Sequence, residues 1–284
     1  WGQHNRIQFN NLAMVPDAEL SHRNYVKRYG IETVWTRIVN IHGQVENEEV
    51  PERQELAIAT NSKQRLDWVR ARAFAWWTAL LHFDKLIQIP IIIAHEYGGF
   101  EHRGPSYREL FELFSASRLD PEKFPTLVRI RESFEAKARD IQSGGVEFCH
   151  SPQWLDVYWP ADEYIIIELA TSGQLEMFYR EAKMLLTDRL AGVFTASLIS
   201  DAIRLNQALV KLPFQKGAIE IECGWNIWEA YRAALLGDMI PLTRDKHYYR
   251  IDYDQERWES WDEWCEKVVW WCNRSGAYIR GTET

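Results

Sequence analysis

The fold is decided by one stretch that starts at residue 63, KQRLDWVRARAFAWWTALLHFDKLIQIP (63–90). Its apolar residues recur every three or four positions, which is the spacing of one face of an α-helix. The residues on this face are Leu66, Val69, Ala73, Trp76, Trp77, Leu80 and Ile87. We therefore expect one long amphipathic helix, which Pro90 ends or kinks because proline has no amide hydrogen.

Helical patterns also dominate after residue 90. We expect helices over 106–114, 125–141, 162–190, 196–212, 225–236 and 258–272, with an aromatic linker over 154–160. Apolar and polar residues alternate over 219–223 and 249–253, which predicts two strands that each have one solvated face.

The pattern before residue 63 is different. A short helix over 17–29 is ended by Gly30, and the apolar runs 33–41 and 56–60 predict two strands joined by an exposed acidic loop. The fold class is therefore α+β and mainly helical, with a short N-terminal strand pair and a C-terminal strand–helix–strand unit. We divide the chain into a junction segment, 1–62, and a helical C-terminal domain, 63–284, unless the two form one domain.

Composition excludes several classes of protein. The 284 residues are 46% hydrophobic and carry a formal net charge of −8, so the chain can bury its own core and lacks the basic character of nucleic-acid-binding domains. We interpret the basic residues over 63–72 as a solvated helix face. The longest clean apolar run, 89–94, is too short to span a bilayer. We expect a cytoplasmic protein with no membrane span and no nucleic-acid partner.

No catalytic residue can be assigned from motifs. The chain contains no GxGxxG, GxxxxGK[ST] or GxSxG motif, so neither phosphate loops nor a nucleophile elbow are indicated. Its four cysteines, Cys149, Cys223, Cys265 and Cys272, include no pair with the two-residue spacing of a zinc site. Cys265 and Cys272 share one face of the predicted last helix, which favours buried thiols.

Metal sites are weakly indicated at two places. Glu19 with His22 and Glu147 with His150 form Glu-x-x-His strings, of which helical di-metal carboxylate enzymes need two on inward-facing helices. Glycines precede the second string and a proline follows it, which argues against a helix there. A di-metal enzyme is nevertheless one alternative function.

The second place is a loop that contains His95, Glu96 and His102 around two glycines. Imidazole and carboxylate groups suit zinc or iron, but a polar loop between helices is the simpler interpretation. We therefore predict no metal site.

Four stretches resemble the region that follows the barrel in cobalamin-binding radical SAM proteins. They are residues 10–16 with YVKRYGIETV (25–34), ELAIATNS (55–62), residues 223–242, and VVWWCNRSGAY (268–278). Members of that family have a cobalamin-binding domain, a barrel with a CxxxCxxC cluster motif, and a C-terminal part that this chain resembles.

The resemblance implies a chain that binds no cofactor alone, because CxxxCxxC and the cobalamin-type DxHxxG are both missing. The whole enzyme would use an iron–sulfur cluster, S-adenosylmethionine and cobalamin, and would transfer a methyl group to a small-molecule substrate. Its barrel and cobalamin-binding domain would belong to the same chain or to a partner subunit. The start at Trp1 fits an excised C-terminal fragment or a chain that joins such a partner.

In that arrangement the chain would act as a lid and as the substrate-side wall of the active site. We expect Asn10, Asn11, Thr60 and Ser62 to face the substrate because they lie nearest the barrel junction. Trp76 is a further substrate-facing candidate, although adjacent tryptophans in a helix usually serve a core or an interface. The main alternative is a standalone helical module that binds a ligand or a partner through its many aromatic side chains.

Overall fold

Helices predominate in the computed structural model, which describes residues 9–45, 50–98, 104–116, 118–254, 257–271 and 278–281. The helices are α1 (Arg23–Tyr29), α2 (Arg65–Thr78), α3 (Gln88–Tyr97), α4 (Tyr107–Ser115), α5 (Pro125–Gln142), α6 (Ala161–Thr171), α7 (Leu175–Arg189), α8 (Ala196–Leu209), α9 (Ile227–Leu236) and α10 (Trp261–Trp264). The strands are β1 (Glu32–Arg37), β2 (Arg53–Ala59), β3 (Cys149–Ser151), β4 (Val157–Trp159), β5 (Ala218–Cys223), β6 (His247–Asp252) and β7 (Tyr278–Gly281). These elements confirm the mainly helical α+β class.

The strand pair before residue 63 is present. β1 and β2 are antiparallel, with Glu32 opposite Ala59 at one end and Arg37 opposite Arg53 at the other. Gly30 ends α1 in the left-handed conformation that glycine adopts without strain. The predicted acidic loop at 46–49 lies outside the described residues.

A third segment lies along the other edge of β2. The amide of Met14 donates to the carbonyl of Glu55 at 2.7 Å, and the amide of Ala57 donates to the carbonyl of Leu12 at 2.9 Å. The chain just after residue 9 is thereby fixed beside β2.

The long helix predicted from residue 63 is broken earlier than expected. α2 ends at Thr78 and continues as the π-helical turn Ala79–Phe83, after which Lys85 adopts a left-handed φ of 63°. α3 then starts at Gln88, with Pro90 in its first turn, where the missing amide hydrogen needs no helical partner. The prediction that Pro90 ends or kinks the helix was wrong. Leu66, predicted on the apolar face, is 49% exposed.

The predicted aromatic linker over 154–160 was also wrong, because it contains β4. β4 pairs with β3 in a short hairpin, and the amide of His42 donates to the carbonyl of Tyr158 at 2.7 Å. The loop after β1 is therefore attached to this hairpin.

The C-terminal strand–helix–strand unit consists of β5, α9 and β6. β5 and β6 are antiparallel, and β7 adds a third strand on the free edge of β6 that the sequence pattern did not predict. The helix predicted over 258–272 is shorter in the structure. It consists of the four residues of α10, followed by the π-helical turn Cys265–Val269.

Two buried clusters form the interior of the described residues. The larger one contains aromatic residues from several helices, including Trp77, Phe114, Phe134 and Phe178. Leu56 and Ile58 of β2 belong to the same cluster. The N-terminal strand pair is therefore packed on α2 through a shared core, and this contact positions the site described below.

Among the described residues, no single helix has both the length and the hydropathy that a bilayer crossing requires. The segments Arg65–Phe83 and Gln88–Tyr97 reach these limits only when taken together, and they are bent by 93° at their junction.

Candidate functional site

A cavity of about 320 Å³ lies between residues 9–12, the end of β2 and one face of α2. Small side chains from both elements line it: Ala57 and Ala59 from β2, and Ala71 and Ala75 from α2. Because alanine reaches only to its Cβ, the strand and the helix can pack closely and still leave this space between them.

Three residues predicted to face the substrate line this cavity. Asn10 and Asn11 contribute from the N-terminal segment, and Thr60 contributes from the end of β2. The pairing of Leu12 and Met14 with β2 explains why residues separated by about fifty positions come together.

The two other predicted residues lie beside the cavity and do not line it. Ser62 is exposed, and its Oγ lies 3.3 Å from Oγ1 of Thr60. Trp76 is only 3% exposed and packs against Phe134, with ring centroids 5.7 Å apart. Trp76 therefore supports the cavity wall from within the core.

Arg72 is the main lining residue that the sequence analysis missed. Its guanidinium carbon lies 4.6 Å from the ring centroid of Trp76, and its Nη1 donates to the carbonyl of Phe9. Its Nε is buried and has no acceptor among the described residues. Burial lowers the pKa of Arg72, while the nearby Glu147 and Asp162 raise it. Arg72 lies four residues from both Trp68 and Trp76 and therefore on the same face of the helix. A cation among apolar residues was the sequence signal that could have identified Arg72 as a lining residue.

Lys63 supplies a second cation at the edge of the cavity. It is held near Thr60 because its backbone amide donates to Oγ1 of Thr60 at 3.1 Å. Among the described residues that line the cavity, Arg72 and Lys63 are charged and neither aspartate nor glutamate is present. The lining is therefore suited to an anion.

Glu147 lies behind this lining and holds Asn11 in place. The amide nitrogen of Asn11 donates to one oxygen of Glu147, and the amide of Gln54 donates to the other at 2.5 Å. His150, the other member of its Glu-x-x-His string, instead contacts Asp156 at 2.8 Å and lies in strand β3. Glu19, from the first string, lies in a single 3-10 turn.

The weak metal candidates near α3 are arranged around Tyr107. The His95 ring packs against the tilted ring of Tyr107, with centroids 3.9 Å apart, and its Nδ1 lies 3.0 Å from the Pro105 carbonyl oxygen. Tyr107 donates to Glu96 at 3.4 Å. His102 lies outside the described residues. Within the described part of the chain, no three His, Cys, Asp or Glu side chains are grouped so as to hold a metal ion.

The described cysteines lie in three different elements. Cys149, Cys223 and Cys265 lie in β3, in β5 and in the last π-helical turn, respectively. Burial raises the pKa of Cys149 and Cys223 to about 11 and that of Cys265 to about 12. In each case the main cause is that burial disfavours the charged thiolate.

Comparison with known proteins leaves the assignment open. No protein-family model matches the chain, and no curated protein matches it significantly. The cavity and its charged lining are therefore the features from which a function has to be argued.

Proposed function

We propose that this chain is the C-terminal, substrate-side domain of a cobalamin-dependent radical SAM enzyme. The barrel and the cobalamin-binding domain, in the same chain or in a partner subunit, would supply the cluster, S-adenosylmethionine and cobalamin. The whole enzyme would transfer a methyl group to an unactivated carbon of a small molecule. The observation that supports this proposal best is that Asn10, Asn11 and Thr60, selected through the resemblance, line one cavity.

Further contacts join the stretches that carry the resemblance. The amide of Asn61 donates to the carbonyl of Tyr29 at 2.9 Å, and its side-chain amide donates to the carbonyl of Arg28 at 3.3 Å. Arg65 forms an ion pair with Glu32 at 2.7 Å. The end of α1, the start of β1 and the end of β2 thus form one local unit beside the cavity.

The distribution of exposed apolar side chains also supports a partner at this end of the chain. Nine of the sixteen exposed large apolar residues in the described part lie before residue 51: Phe9, Leu12, Val15, Tyr29, Trp35, Ile38, Ile41, Val45 and Val50. Concentrated apolar exposure is typical of protein interfaces. We assign this segment to contact with the barrel.

In this proposal the chain binds and shields the substrate and performs no redox step. Radical intermediates must be kept from water, and a packed wall at the mouth of a barrel excludes it. Asn10, Asn11 and Thr60 would orient the substrate by hydrogen bonds. Arg72 and Lys63 would attract its negative charge.

The first test is the coding sequence before residue 1 and in the neighbouring genes. We expect it to encode CxxxCxxC and a cobalamin-binding DxHxxG motif. A complete gene product of 284 residues with no such neighbour would contradict the proposal, as would iron–sulfur absorbance from the isolated chain.

The second test uses the assembled enzyme. Asn10→Ala removes an amide that lines the cavity, whereas Asn40→Ala removes an exposed amide outside the lining and serves as its control. We expect Asn10→Ala to lower product formed per S-adenosylmethionine cleaved, while iron content stays unchanged. Equal coupling in both variants would argue against a substrate-side role.

The cavity also supports a second candidate, a standalone ligand-binding module. This function requires a ligand site but no catalytic partner, and the cavity size lies at the lower end of the usual range for small-molecule sites. Ligand binding by a chain whose gene context encodes no radical SAM motif would favour it.

A further inference from the structure

We infer that the cavity between β2 and α2 binds a small organic carboxylate with an apolar body. The carboxylate is held by Arg72 and Lys63, and the body lies against Trp68 and the alanines of β2. If the proposed function is correct, this ligand is the substrate of the whole enzyme. The inference rests on the proposed function in that respect only. Binding itself can be tested separately.

The charge of the lining selects an anion. Arg72 and Lys63 are the charged residues among the described lining, and no carboxylate in that lining balances their positive charges. Glu147 and Asp162 act on Arg72 electrostatically from outside the lining. They reduce the positive potential that a ligand meets, so a single negative charge fits better than the two charges of a phosphate monoester.

Arg72 is prepared to bind such a group. Its guanidinium is fixed over Trp76 and by the carbonyl of Phe9, so little side-chain freedom is lost when a ligand binds. Arg72 also lines the cavity, and the planar fork of a guanidinium matches a carboxylate.

The apolar part of the lining selects the rest of the ligand. Trp68 is 7% exposed, and Ala57 and Ala59 are 7% and 5% exposed. These surfaces offer van der Waals contact and few hydrogen bonds to a ligand body. A volume of about 320 Å³ matches a compact molecule and is too small to enclose a dinucleotide or a long acyl chain.

The probe is 3-phenylpropionate, compared with its neutral amide, 3-phenylpropanamide, and with inorganic phosphate. Binding to the 284-residue chain is measured by calorimetry and by thermal shift at low salt. We expect the carboxylate to bind more tightly than the amide and than phosphate. Equal binding of the amide, or equal or tighter binding of phosphate, would overturn the inference, and so would an absence of binding by all three.

The variants Arg72→Gln and Lys63→Gln test the two cations, and Arg70→Gln is the matched control. Arg70 lies in the same helix, is 66% exposed and does not line the cavity. We expect Arg72→Gln to weaken binding by about tenfold or more, as for a lost charged hydrogen bond. Because Lys63 is exposed, Lys63→Gln should weaken binding by about twofold to fivefold.

Arg72→Gln also removes the contacts to Trp76 and Phe9, so this variant could fail to fold. In that case Lys63→Gln and Ala71→Leu test whether the ligand binds in this cavity. Ala71 is an exposed lining residue, and a leucine there should fill the cavity and abolish binding while leaving the thermal transition intact. Undiminished binding in Ala71→Leu, or equal losses in Lys63→Gln and Arg70→Gln, would place the ligand elsewhere and reject the site.

The outcome separates this inference from the proposed function. Carboxylate binding in a protein whose gene context lacks a cluster motif would keep the site and reject the radical SAM assignment. Conversely, a radical SAM context without carboxylate binding would keep the assignment and reject the site.

Discussion

Nε2 of His42 lies 2.5 Å from Oε2 of Glu163, with side chains 7% and 0% exposed. The His42 ring packs against both Trp159 and Trp270, whose centroids lie 4.9 and 4.2 Å away. This contact ties the loop after β1 to the first turn of α6. The attachment of the N-terminal strands to the helices thus includes a buried polar contact.

Removing His42 should destabilise the fold. In His42→Ala the buried carboxylate of Glu163 loses a hydrogen-bond partner, and we expect the free energy of unfolding to fall by about 2 to 3 kcal/mol. His150→Ala is the control, because the His150–Asp156 pair is more exposed and should cost less than about 1 kcal/mol. Urea unfolding measures both. Equal losses would show that burial does not distinguish these pairs.

His82 should make the fold sensitive to acid. Burial lowers its pKa from 6.5 to about 4. Between these two values the unfolded chain binds a proton that the folded chain does not, so stability falls as the pH falls through this range. The slope contributed by this proton is at most about 1.4 kcal/mol per pH unit.

His82→Phe isolates this contribution, because His82 already lies among the rings of Phe83, Tyr107 and Phe111. Denaturation of both proteins between pH 7 and 4.5 should give a smaller loss of stability for the variant. Identical losses would mean that the carboxylates alone cause the acid sensitivity.

Gly30 should tolerate substitution less well than Gly173. Both have a positive φ, 56° and 71°, but a Cβ at Gly30 would collide with the side-chain amide of Asn61, whereas the space at Gly173 is open. We expect Gly173→Ala to cost about 1 kcal/mol and Gly30→Ala roughly 2 to 3 kcal/mol. Adding Asn61→Ala to Gly30→Ala should recover part of the loss, which a double-mutant cycle measures. No recovery would assign the whole cost to the backbone.

The described cysteines should react slowly in the folded chain. Raising the pKa of Cys149 and Cys223 from 9.0 to about 11 reduces the thiolate fraction near neutral pH by roughly 100-fold. In a Cys272→Ser background, alkylation at pH 8 should therefore be far slower in the folded chain than in urea. Comparable rates would show that burial does not protect these thiols.

Hydrophobic periodicity predicted most helices and the β5–α9–β6 unit, and apolar runs predicted the β1–β2 pair. Neither signal could locate breaks made by single residues. Lys85 adopts a positive φ and separates α2 from α3, although apolar residues continue on both sides. Both helices are largely buried there, so the apolar pattern does not change at the break.

The β3–β4 hairpin was missed for a similar reason. Leu155 and Asp156 both have positive φ, a conformation that usually requires glycine or asparagine, so the turn has no typical sequence signal. The β-forming residues of β4 were visible in the sequence, but three residues are too few to establish an alternation.

The resemblance selected Asn10, Asn11 and Thr60 as substrate-facing residues. All three line the cavity, and their contact with a substrate stays a prediction. The cluster of basic residues from 63 to 72 predicted that Arg72 lies on a solvated helix face, because only charge was considered there. Arg72 lies between Trp68 and Trp76 along one helix face, where a long charged side chain can cover apolar surface. Burial of a charged residue can be predicted only when the apolar and the charged patterns are considered together.

Residues 9–14 contribute one wall of the cavity and are attached to β2 by backbone hydrogen bonds from the amides of Met14 and Ala57. Both amides exchange with solvent deuterium only after these hydrogen bonds open. A ligand that contacts this wall should therefore slow exchange at Met14 and Ala57, so that the two amides would report binding in the cavity.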